Sequence, residues 1–98
     1  MEKIVIGEHV NHHHRDTIET LFAHPTSRNI KWVDVSSLLN AVGEIDDSAH
    51  GRLRVKLGDV VEGFEIHDKD ATVEQVSDLR RMLREAGVVE VIGEAPEA

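Results

Sequence analysis

The sequence predicts an α+β fold of two layers, in which helix, strands and helix follow an N-terminal histidine-rich extension. Three features predict it. Residues 31–42 and 72–86 each carry an apolar stripe at helical spacing, and residues 52–57 alternate strictly between cationic and apolar side chains. Two amphipathic helices need an apolar surface to cover, and a small antiparallel sheet with one apolar face supplies it. At 98 residues the chain suffices for one hydrophobic core and is too short for two. The expected organisation is an extension with a short helix at 1–30, an α+β domain at 31–90 and a tail at 91–98.

Lys3 to Ile6 is apolar and β-branched and stops at Gly7, as a short strand or an ordered arm would. The polar stretch EHVNHHHRD comes next. Asp16 can cap a short helix, with Glu19 three residues on and Ile18, Leu21 and Phe22 at helical spacing. Pro25 ends that turn, and HPTSRN reads as a loop. Asn29 is a plausible cap for the helix at 31–42, whose stripe is Trp32, Val35, Leu38, Leu39 and Val42. Gly43 sits where a left-handed terminal residue is wanted.

In RLRVKL, Leu53, Val55 and Leu57 share one face, and Arg52, Arg54 and Lys56 share the other. Gly58-Asp59 makes a tight turn into a returning strand, Val60 to Ile66, with Val60, Phe64 and Ile66 in phase. The meander has three strands if Glu44 to Asp47 joins it and two if not. Thr72 then caps the last helix, with Gln75 as its capping-box partner. Val73, Val76, Leu79, Met82 and Leu83 form the stripe. Arg80, Arg81, Arg84 and Glu85 point outward, and Gly87 closes the helix. VVEVI can add a strand. As outer strands, residues 3–6 or 88–92 can pair two chains.

Composition narrows the function classes. Asp and Glu number 19 against 11 Lys and Arg, a net charge of −8, which argues against non-specific binding to phosphate backbones. Phe22, Trp32 and Phe64 are too few for a base-stacking platform. No cysteine is present, so disulfides, thiolate metal sites and a cysteine nucleophile are excluded. No apolar run approaches the roughly 20 residues of a membrane span, and no secretory signal opens the chain. The expected setting is the cytoplasm, without a membrane.

Four groups could carry chemistry. His9, His12, His13 and His14, with Glu8 and Asp16 nearby, can offer imidazole and carboxylate to zinc, nickel or copper. His9 and His13 share a face only if this stretch is helical, and Asn11 and the absent periodicity speak against that. The plainer reading is a polar segment that binds Zn or Ni adventitiously, with no cofactor expected. His50, before the sure strand, can act as a general acid or base, and its plainer reading is a turn histidine. Arg52, Arg54 and Lys56 can neutralise phosphates, although a solvent face of a sheet is polar anyway and acids such as Glu62 can pair with it. Arg80, Arg81 and Arg84 gain interest only if they border that strand face. Beyond these four, His67 with Asp68 and Asp70 can form an acid/base pair, and its plainer reading is a charged turn.

Helix 31–42 ending in LLNAVG, then SAH before an alternating strand, a hairpin and VEQVSDLRRMLREAGV together resemble the HicA-like toxin family over about residues 31–88. The opening, HHHRD with LFAHPTSRNIKW, resembles that of a group of short bacterial proteins carrying this domain. The resemblance implies an α-β-β-β-α fold like that of the double-stranded-RNA-binding domain. It implies metal-independent cleavage of mRNA by one histidine in a Gly-Ser-His stretch, silenced by a partner antitoxin. By position Ser48-Ala49-His50 matches that stretch, so His50 is the implied catalytic residue, with Arg52, Arg54 and Lys56 on the following strand as the nucleic-acid contacts. The chain departs from the family in three ways. Asp47 replaces the glycine, Ala49 is inserted, and the balance is acidic where the family's toxins are basic. Carboxylates beside a scissile phosphate repel it. The expectation is therefore a retained fold with nuclease activity lost or reduced: a binding or regulatory module with weak RNA affinity. The alternatives are a single-histidine ribonuclease and a metal-binding protein built on the histidine cluster.

Overall fold

The computed structural model of the chain describes residues 3–7, 10–23, 26, 29–49 and 51–92. Among them run β1 (Lys3–Ile6), α1 (His12–Leu21), α2 (Trp32–Val42), β2 (Glu44–Ala49), β3 (Arg52–Leu57), β4 (Val60–Glu65), α3 (Val73–Glu85) and β5 (Val89–Ile92). The protein is a small α+β fold with antiparallel sheets. β2, β3 and β4 form a meander in that order, and β1 pairs with β5 in a separate ribbon.

The meander is a product of alternation. Leu53, Val55 and Leu57 are buried while Arg52, Arg54 and Lys56 are exposed, so one face meets the helices and the other meets water. Gly58 takes a φ of 61° in the β3–β4 turn, a conformation that glycine adopts without steric cost. Glu44 to Asp47 does join the sheet, opposite Lys56, Val55 and Arg54 for its first three residues. The register then shifts, so that Asp47 and Ser48 face Leu53 alone before Ala49 meets Arg52. That is the two-against-one count of a β-bulge.

α3 is built as its sequence requires. Thr72 and Gln75 exchange both capping-box bonds, at 3.0 and 3.1 Å. At the other end Gly87 has a φ of 80°. The Gly87 N–H donates to Arg84 O, and the Val88 N–H donates to Leu83 O, the pattern of a Schellman cap. Val76, Leu79, Met82 and Leu83 are buried. Val73 is not part of the stripe: it is the first helical residue and stands 55% exposed.

The structure corrects several local expectations. α1 begins at His12, not at Asp16, because Asn11 is its cap: the Asn11 side chain accepts from the His14 N–H at 2.9 Å. Asn11 therefore starts the helix it was expected to prevent. α1 buries His14, Thr17, Ile18 and Leu21, a stripe with a polar first half, and Ile18 and Leu21 enter the same core as the strands. α2 is capped at Lys31 without a side-chain bond, not at Asn29. Strand β4 stops at Glu65, one residue before Ile66. The two outer segments, 3–6 and 89–92, pair with each other.

Gly43 ends α2 in an extended conformation (φ −161°) and not in the left-handed one. Its glycine is needed for space. A Cβ there would run into the Lys56 carbonyl and the Leu57 side chain, so α2 turns into β2 directly over β3. Substitution of Gly43 by alanine is expected to cost about 1–3 kcal/mol, the usual penalty of overpacking. Urea unfolding should show a lower midpoint with an unchanged slope, and a midpoint equal to the parent's would contradict this close approach.

Candidate functional site

The sequence placed its candidates on the sheet face, on α3 and on the histidine run. The structure separates them. Arg52, Arg54 and Lys56 occupy the solvent face of the meander, each opposite a neighbour of fixed register. Arg52 faces Glu65, Arg54 faces Asp46 and Gly63, and Lys56 faces Glu44 and Val61. Arg52 Nη2 lies 3.2 Å from Glu65 Oε2. Three cations thus stand opposite three carboxylates across the ladder.

Glu62 is not among those carboxylates. It is in phase with Val60 and Phe64, lies opposite Val55, and so points to the helix side. There its carboxylate accepts from Arg81 of α3. Arg81 also reaches Asp78 at 3.3 Å and Glu85 at 4.0 Å. The hydrogen bond to Glu62 and its negative charge, supported by Asp78 and Glu85, raise the Arg81 guanidinium above its ordinary range, so it stays cationic wherever the fold exists. Arg80 does not point outward either. It donates to the carbonyls of Leu21 and Ala23 and to Thr26 Oγ1, tying α3 to the end of α1. Arg84 is exposed. The α3 arginines and the strand cations therefore lie on opposite sides of the sheet. His67 approaches Glu65 at 3.5 Å, and its neighbour Asp68 accepts from the Lys69 N–H.

The histidine run is divided by the helix it sits on. Successive helical residues turn by about 100°, so His12 and His13 are exposed while His14 is buried. His13 stands 3.7 Å from Asp34 of α2. His14 Nε2 and Ser37 Oγ lie 3.0 Å apart, a bond that joins α1 to α2 inside the fold. Among the described residues no three His, Asp or Glu side chains gather as metal ligands do. His9 and His50 lie outside the described residues, as does His24.

His14 leads to a feature that no sequence motif announced. A groove of about 440 Å³ opens where the N-terminus of α1 meets the C-termini of α2 and α3. Its lining is Gly7, Val10, Asn11, His14, Ala41, Val42, Ala86, Gly87 and Val88. Among the described residues no Asp, Glu, Lys or Arg lines it. Among the lining side chains only those of His14 and Asn11 are polar. The volume falls in the range of small-molecule sites, about 300–1,000 Å³. Small residues at two helix ends, Ala41 and Ala86-Gly87, leave the space open, and that was the signal available in the sequence. No family model, curated protein or solved structure matches the chain.

The two ion pairs on β4 are expected to differ. In double-mutant cycles, Arg81→Ala with Glu62→Gln should show the larger coupling, because Glu62 is only 25% exposed. Arg52→Ala with Glu65→Gln should show about 0–1 kcal/mol, as exposed pairs do. Equal couplings in chemical denaturation would contradict the assignment of Glu62 to the helix side.

Proposed function

We propose that this chain is a non-catalytic binding module whose site is the groove between the three helix ends. One observation carries the reading: a concave pocket of about 440 Å³ that no charged side chain lines among the described residues, with a buried imidazole at its wall. The occupant that fits is a small, mainly apolar molecule with one hydrogen-bonding group for His14 or Asn11. Apolar contact provides the affinity, and the polar pair orients the ligand. A charged ligand would lose its hydration there without meeting an opposite charge.

The groove is tested with indole and 2-naphthol as probes. Amide shifts in the full chain should move at Asn11, His14, Ala41 and Ala86–Val88. Ala41 is exposed on α2, so Ala41→Trp fills the groove without entering the core. It should weaken probe binding by about tenfold or more, a loss of at least 1.4 kcal/mol, while leaving thermal stability intact. No shift at millimolar probe, or equal binding by the variant, would refute the site.

A HicA-like ribonuclease is the second reading, favoured by one feature: α2, β2, β3, β4 and α3 run in the order helix, three strands, helix. In it His50 supplies the acid and base, and Arg52, Arg54 and Lys56 hold phosphates. The acids opposite those cations weigh against it, as does the exposed Asp47 on β2. With RNA in chelator, the module reading expects no cleavage and weak, salt-sensitive retention at most. Cleavage that disappears in His50→Ala would establish the ribonuclease and overturn the module.

A further inference from the structure

We infer that β1 is a self-pairing edge through which two copies of this chain associate. The argument starts from the backbone. The Gly7 N–H donates to Val88 O at 3.4 Å, and in an antiparallel ladder the main chain turns to alternate sides at successive residues. Lys3 and Val5 therefore address β5, while Ile4 and Ile6 turn their N–H and C=O groups to the opposite edge. Among the described residues no backbone group meets that edge. A two-stranded ribbon is also marginal by itself, and this one rests on the body through its inner side chains, with Ile4 and Ile6 partly buried and Val89 buried.

Both edges of the meander are protected, and the β1 edge of the ribbon is not. β2 is interrupted by the bulge at Asp47 and Ser48 and carries Glu44, Asp46 and Asp47. β4 carries Glu62 and Glu65, and the Glu65 carbonyl is taken by the Gln75 side chain at 2.7 Å. Bulges, charges and covering side chains are the usual devices against edge pairing, and a second copy at either edge would set carboxylate against carboxylate. β1 has no bulge, no proline and no carboxylate.

The partner is therefore another β1, running antiparallel about a two-fold axis at Val5. Ile4 then exchanges both backbone bonds with Ile6 of the second copy, and Ile6 does so with Ile4. Val5 meets its own equivalent in the closely spaced, non-hydrogen-bonded pair. On the outer face Val5 and Ile92 are 42% and 45% exposed and are diagonal neighbours in the ribbon's register. Pairing joins the two ribbons into a four-stranded sheet and sets the two Val5 side chains together at its centre, each with Glu90 of its own ribbon on the far side and Ile92 on the diagonal.

Sedimentation equilibrium of the full chain, from micromolar to millimolar, should reveal a species of twice the 10.9 kDa chain mass. Val5→Lys changes an outward side chain and should leave the melting curve of the monomer unchanged. It should weaken association at least tenfold by setting two ammoniums on the axis. Mixing Val5→Lys with Val5→Glu should restore a dimer, which only a Val5–Val5 contact explains. A chain that stays monomeric at millimolar concentration, or a dimer indifferent to Val5→Lys, would overturn the inference.

Discussion

Leu53, Val55 and Leu57 lie on one side of a single strand, and all three helices bury their stripes against the layer that side begins. Ile18 and Leu21 come from α1, Val35, Leu38 and Leu39 from α2, and Val76, Leu79, Met82 and Leu83 from α3. Burial of each such side chain is worth about 1.5–3 kcal/mol, and among the described residues no second apolar surface of that extent is offered to the helices. Trp32 and Phe64 close one part of the layer, with ring centroids 5.6 Å apart. The polar groups of the molecule are arranged around that requirement.

The charges illustrate the consequence. A period of two assigns Arg52, Arg54 and Lys56 to water and brings Glu44, Asp46 and Glu65 opposite them. The same period sends Glu62 toward the helices, where an isolated carboxylate would be costly. Arg81 answers it from α3. Arg80, one position along, turns instead to the Leu21 carbonyl at the end of α1 and to the Ala23 carbonyl just beyond it. Adjacent arginines on one helix thus serve two different joints, one to the sheet and one to another helix.

The groove has a similar origin. Helices that converge on a common core must end somewhere, and three of these ends meet beside β1. Side chains at two of them are small, and the third begins with the Asn11 cap and the inward His14. The result is a concavity bounded by helix termini and lined, among the described residues, by no charged side chain. The imidazole at its wall is engaged with Ser37 rather than with a metal-binding set, and its neighbours His12 and His13 diverge from it around the helix.

Local patterns in the sequence determined the β3–β4 hairpin, the capping box and glycine closure of α3, and the extent of α2, because each depends on residues within one turn or one strand, and they left open whether β2 joins the sheet. Local patterns misjudged Asn11, which acts as a helix breaker inside a helix and as a cap at its start. They misjudged Gly43, whose role is to let α2 pass close over Lys56 and Leu57. They also missed the direction of Glu62, although its phase with Val60 and Phe64 was visible. Only the tertiary structure decided which histidine is buried, which arginine meets which partner, that β1 finds β5 across nearly the whole chain, and that three helix ends enclose a groove. These depend on contacts between residues far apart in sequence, and no periodicity of two or 3.6 residues carries that information.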